Sequence, residues 1–107
     1  MCEKKIYLIF EYMQADLSQV IRAKVLEPIH VQYVVFQLLK ALAYLQRNGV
    51  MHLEIKSSNV MVNSDCHVRL IDFGNARLVD PENEALLDYC SRWHRAPEIV
   101  SVYNEII

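Results

Sequence analysis

Glycine and proline are scarce in this chain, with two and three residues out of 107. Because the glycines stand only at positions 49 and 74, a G-x-G-x-x-G fingerprint is not present. Cysteine builds no framework either: Cys2, Cys66 and Cys90 are odd in number, far apart and without a Cys-x-x-Cys pair. That pattern suits neither a disulfide scaffold nor a thiolate zinc site, and fits a reducing intracellular compartment. Charge of one sign is also lacking, since 11 basic and 13 acidic residues leave a net charge of −2. Such a balance offers no electrostatic footprint for nucleic acid or an anionic membrane. The longest unbroken apolar runs, Ile6 to Phe10 and Ala41 to Leu45, fall far short of a membrane span or a signal-peptide core. With no address label, the chain reads as cytoplasmic and/or nuclear.

What is present is an apolar majority: 53% apolar residues against 22% charged, with a mean hydropathy of +0.10. This is too apolar for disorder and enough for one domain. It is also richer than the high surface-to-volume ratio of so small a globule calls for.

Ile6-Tyr-Leu-Ile-Phe10 is a short β-branched and aromatic run that predicts a strand buried on both faces. Asp16 to Lys24 opens on a capping residue and predicts a short helix. Pro28 opens a longer helix, expected from about Ile29 to Arg47 or Asn48, with Gly49 in the post-helix position. The apolar positions of that helix cover much more than one stripe, so it calls for protein around most of its circumference. Val60 to Val62 and Val68 to Ile71, separated by Asn63-Ser-Asp65, predict a hairpin. Residues 75–98 lack sustained periodicity and predict a long loop, with one turn of helix near Glu84 to Leu87.

The chemistry-bearing stretch is His52-Leu-Glu-Ile-Lys-Ser-Ser-Asn59, then the hairpin, then Asp72-Phe-Gly74, and finally Ala96-Pro-Glu98. Its order and spacing resemble the H-R-D-x-x-x-x-N, D-F-G and A-P-E motifs of eukaryotic protein kinases. Ile6 to Met13, Asp16-Leu17 and Arg92-Trp-His-Arg-Ala-Pro-Glu98 look like the mitogen-activated and cyclin-dependent group. The resemblance implies an α+β fold: a mainly helical, partial C-terminal lobe with a small β-hairpin, residues 1–107 running from the hinge to the A-P-E motif. It implies serine/threonine kinase chemistry on protein substrates, with ATP and magnesium as cofactors. Asn59 and Asp72 would hold the metal, Lys56 the transferred phosphoryl group, and Glu54 would stand in the position of the base. Phe10 would be the gatekeeper, Glu11 and Met13 would offer backbone groups to adenine, and Asp16 would lie near the ribose.

Several positions depart from that pattern. The family base is Asp, and Glu54 carries one more methylene, a displacement of roughly 1 Å; a misplacement of that size can cost on the order of 10²-fold in rate. Leu53 replaces the motif arginine and cannot pair with a phosphorylated loop. Leu87-Asp-Tyr89 lacks the threonine of a T-x-Y motif, leaving Tyr89 and Ser91 as hydroxyl acceptors. No glycine-rich loop or strand lysine precedes Ile6, so an interior slice of a longer domain is expected, without the small lobe and the distal part of the large lobe. His52 is expected to be a packed or hydrogen-bonded core residue, while His30, His67 and His94 lack ligand-like spacing.

Two readings follow. One is part of a serine/threonine kinase; the other is an inactive truncated kinase or pseudokinase that acts by binding partner proteins. Acting alone, the 107 residues are expected to show no magnesium-dependent ATP turnover.

Overall fold

The structure, a computed structural model, describes residues 4–79. The expectations for Glu84 to Leu87, Tyr89, Ser91, His94, Cys2, Cys90 and the A-P-E segment lie outside the described residues.

The first helix, α1 (Leu17–Ala23), begins where its sequence directs. The Asp16 carboxylate accepts the Gln19 backbone N–H at 2.9 Å, and the Gln19 side chain returns by accepting the Asp16 N–H at 3.0 Å. This reciprocal box satisfies two backbone donors that the first helical turn leaves free. The Ser18 hydroxyl donates to the same carboxylate. Lys24, at φ 56°, takes the left-handed conformation that ends the helix.

The second helix, α2 (Pro28–Arg47), has proline in its first turn and a similar reciprocal start, in which the Glu27 N–H donates to His30 Nδ1 at 3.1 Å. Twenty residues make it about 30 Å long. Asn48 closes it through its backbone and through its side-chain amide, which donates to the Tyr44 carbonyl at 2.8 Å. Gly49 follows at φ 64°, where a Cβ would be strained although the space around it is open. Both helices and their ends therefore agree with the sequence reading.

Five short strands complete the described fold: β1 (Ala15–Asp16), β2 (Val50–Met51), β3 (Val60–Val62), β4 (Val68–Leu70) and β5 (Arg77–Leu78). The expected hairpin is present as β3 and β4, paired antiparallel with Val60 opposite Leu70 and Val62 opposite Val68. β1 adds to its free edge, Ala15 opposite Val62, giving the order β1-β3-β4. A second, two-stranded sheet pairs β2 with β5, Val50 opposite Leu78. That pairing corrects the long-loop reading of residues 75–98 at its start, because the partners of Arg77 and Leu78 are Met51 and Val50, far upstream, which leaves no local periodicity.

The core forms where α2 crosses the hairpin. Val34, Val60, Val62 and Val68 are buried together, with Leu17, Val20, Leu38 and Leu70 packed around them. Gln37 fastens the same contact by polar bonds: its amide donates to the Cys66 carbonyl at 2.8 Å and its oxygen accepts the Val68 N–H at 3.1 Å. Around the rest of α2, Ile29, Val31, Val35, Phe36, Leu39 and Tyr44 are exposed. The cover expected around most of the helix is thus incomplete among the described residues, which pack on it from the hairpin and from β2.

The run Ile6 to Phe10 is the clearest correction. It has no regular secondary structure, and its side chains are between 76% and 95% exposed. A strand buried on both faces needs paired neighbours, and the described residues provide none beside it.

Candidate functional site

The chain between β2 and β3 forms a loop whose polar groups satisfy one another. His52 is buried at its start, with Nε2 bonded to the Ile71 carbonyl at 2.9 Å and Nδ1 accepting the Glu54 N–H at 3.2 Å. An accepting Nδ1 and a donating Nε2 define the neutral imidazole. The Phe73 ring meets it edge-on at 4.8 Å. His52 is therefore the hydrogen-bonded core residue that the sequence suggested.

Leu53 turns the chain at φ 64°, a conformation costing about 1–3 kcal/mol for a non-glycine residue. Beyond it, Glu54 engages a separate partner at each of its polar atoms. Its N–H is held by His52, its carbonyl accepts from Asn59 Nδ2 at 2.9 Å, Oε1 meets Lys56 Nζ at 2.6 Å, and Oε2 accepts from Asn75 Nδ2 at 3.0 Å. The Lys56 hydrogen bond holds the Glu54 carboxyl below its ordinary range against the opposing effect of burial, with the lysine charge and Asn75 acting in the same direction. The side chain is an anion at neutral pH.

Asn59 ends the Ser57–Asn59 turn of 3-10 helix and is buried. Its Nδ2 is committed to the Glu54 carbonyl, which orients the amide; its Oδ1 accepts no bond among the described residues. Its carbonyl accepts the Ile71 N–H at 2.9 Å, so the residue before Asp72 is tied to Asn59 across the base of the hairpin. Asp72 stands at φ 63°, which a short polar side chain tolerates, and its Oδ1 accepts the Gly74 N–H at 3.3 Å. A Cβ on Gly74 would lie 3.2 Å from that oxygen, so the glycine serves the close approach.

The loop thus gathers Glu54, Lys56 and Asn59 by direct bonds and joins Asp72 to them through Ile71. The other expected residues have different surroundings. The Glu11 carboxylate pairs with Arg69 Nε at 2.9 Å, Met13 is buried, and the Asp16 carboxylate caps α1. Hydrogen bonds from the Ser18 hydroxyl and the Gln19 N–H hold the Asp16 carboxyl below its ordinary value. Phe10 is exposed. β1 and α1 nevertheless lie against the Ser57–Asn59 turn, so Asp16 belongs to the same side of the molecule. Asn75 was missed by sequence reasoning. The available signal was its position directly after Asp-Phe-Gly, on the way into β5.

The donor set fits magnesium. Asn59 Oδ1 and the Asp72 carboxylate are hard oxygens, and this ion favours one or two such protein ligands, with phosphate and water completing its shell. Among the described residues no group of three or more His, Cys, Asp or Glu side chains could hold a metal ion. No helix among them is long and apolar enough to cross a membrane.

Comparison with known proteins bears directly on this geometry: the protein kinase domain model matches residues 1–106. The chain belongs to the protein kinase family. This kinase chain is 49% identical over 105 residues to extracellular signal-regulated kinase 2 of Dictyostelium discoideum, covering 92% of the chain and 28% of that relative. It is 44% identical over 97 residues to mitogen-activated protein kinase p38a of Drosophila melanogaster, covering 91% of the chain and 26% of the relative. Against mitogen-activated protein kinase 15 of Xenopus laevis the identity is 43% over 109 residues, covering 95% and 19%. The kinase sequence is thus of the mitogen-activated type, and it spans between 19% and 28% of the length of these curated relatives.

Proposed function

We propose that the chain supplies the catalytic loop and metal-binding segment of a serine/threonine protein kinase of the mitogen-activated type, in the C-terminal lobe of that domain. The observation that carries this reading is the bonded set Glu54, Lys56, Asn59 and Ile71-Asp72, built on the residues of the H-x-x-x-x-x-x-N and D-F-G motifs.

In the reaction, the hydroxyl oxygen of a protein serine or threonine bonds to the γ-phosphorus of ATP as the bond to the bridging oxygen of the departing ADP breaks. Glu54, ionised and held at both oxygens, orients that hydroxyl and takes its proton. Lys56, a compact point charge, offers its remaining donors to the transferred group. Asn59 Oδ1 and the Asp72 carboxylate would hold magnesium. Magnesium, when bound, neutralises charge on the phosphate oxygens. The backbone of Glu11 and Met13 accepts or donates to no group among the described residues, which suits an adenine-facing hinge.

The test places the 107 residues into the Dictyostelium relative in place of its homologous stretch. The chimera is expected to transfer phosphate to protein hydroxyls at a rate reduced on the order of 10²-fold from the parent. Asp72→Ala should abolish transfer, and Glu54→Asp should recover part of the loss. Absence of transfer from the chimera and from its Glu54→Asp, Leu53→Arg form would overturn the reading.

A further inference from the structure

Glu54 differs from a shorter aspartate in having an extra methylene, and the structure shows where its carboxylate goes. One oxygen is held by Lys56, two residues along the same loop; the other is held by Asn75 at 3.0 Å, from a different segment. Asn75 lies between Gly74 and β5, and β5 pairs with β2, the strand that leads into the loop of Glu54. The Val79 N–H closes the same pair by donating to the Gly49 carbonyl at 2.7 Å. The asparagine amide is therefore delivered to the carboxylate by a strand whose register is set against the loop's own entry.

Its chemistry matches the place. A neutral amide donates one hydrogen bond without adding charge, so it fixes the second oxygen while the single ion pair with Lys56 is kept. An aliphatic residue at this position would leave Oε2 free to swing, and an acidic residue would repel it. Length matters equally. An aspartate at position 54 would end roughly 1 Å short, beyond hydrogen-bond reach of an amide placed at 3.0 Å from the longer side chain.

We propose that Asn75 is a positioning residue matched to Glu54: together with Lys56 it holds the longer carboxylate in one place, so that the added methylene does not leave the base loose. The inference rests on the kinase reading given above and deepens it. Glu54 and Asn75 form a length-matched pair, and the value of each depends on the other.

A double-mutant cycle in the chimera carrying the whole chain tests the pairing. Asn75→Leu is expected to lower kcat on the order of tenfold with Glu54 present, the worth of one hydrogen bond to a charged group, and to leave the KM for ATP unchanged. In the Glu54→Asp background the same change should cost less than about twofold, because the contact no longer exists. Equal losses in both backgrounds, or parallel falls in thermal stability and kcat, would mark a merely structural residue and overturn the proposal. An unchanged kcat for Asn75→Leu would overturn it as well. The contact is also read without activity, by the side-chain amide resonances of Asn75 in the 107-residue chain. They should move on Glu54→Asp, and their failure to do so would defeat the pairing. Complete absence of transfer in all chimeras with the resonance shift intact would instead reject the kinase reading beneath it.

Discussion

In the three-stranded sheet Val60, Val62 and Val68 are buried against Val34, whereas in the two-stranded sheet Val50 and Met51 are half-buried and Arg77 and Leu78 exposed. Both sheets are made of strands two or three residues long, so strand length does not separate them. Burial does. In the first, backbone pairing is coupled to apolar packing under α2, and the pairing of β1 encloses β3 on both sides. In the second, the strands are joined by backbone bonds and by tethers at either end, Val79 to Gly49 and Asn75 to Glu54. The first sheet anchors the Asn59 and Asp72 ends of the hairpin, and the second brings the preceding Asn75 to Oε2 of Glu54. A segment with few buried apolar contacts opens at lower free energy than the core, so the Asn75 contact to Glu54 belongs to the softer of the two regions.

The sharpest way to break this contrast is to empty the core. Val60→Ala, at a position only 1% exposed, is expected to cost about 2 kcal/mol in a denaturant titration. The next largest effect falls on the link between the regions. Gly49→Ala meets no steric obstacle but must adopt φ 64°, and should cost about 1 kcal/mol by the same measurement. A smaller effect tests the second sheet directly: Leu78→Ser, at 75% exposure, should change stability by less than about 0.5 kcal/mol. A loss comparable with that of Val60→Ala would show that the two sheets share one core. In hydrogen exchange, the amides of β3 should outlast that of Val79.

The smallest effect is set by pH. Asp16 is depressed below its ordinary value of 3.8, so its cap is fully present above that value and is lost as pH falls through the lower folded value. Amide shifts of Ser18 and Gln19 should follow that loss, while Asp16→Asn, which retains an accepting oxygen, should remove the pH dependence. The same sign applies to Glu54: its bonds to Lys56 and Asn75 hold above the ordinary value of 4.5 and weaken in acid below it.

Helix ends and the hairpin were legible because their causes are local. Asp16 with Gln19, Pro28 and Gly49 act on residues within one turn of themselves. The Val-rich runs on either side of a polar turn also specify their own pairing. The turn itself runs from Asn63 through His67, two residues further than Asn63-Ser-Asp65 suggested, with Cys66 at φ 61° and the Asn63 N–H bonded to the His67 carbonyl at 3.0 Å. β1 and β5 were not legible, because a two-residue strand has no periodicity and exists only through a partner distant in sequence. Ile6 to Phe10 failed for the converse reason, since β-branched and aromatic composition records suitability for a sheet and supplies no neighbour. At the site, motif spacing singled out Glu54, Lys56, Asn59 and Asp72, and the structure brings them together by direct bonds and through Ile71, while the Asp16 carboxylate serves the cap that its place before α1 suggested.

By itself the sequence determined the two helices and their ends, the hairpin, and the order of the residues that match the kinase motifs, because each rests on near neighbours or on motif spacing. Only the tertiary structure decided how those residues are held. The two oxygens of Glu54 are divided between Lys56, which sequence proximity places there, and Asn75, which arrives from 21 residues away. That distance is closed by the register of β5 on β2, a choice made by pairing across the fold and invisible in any local window.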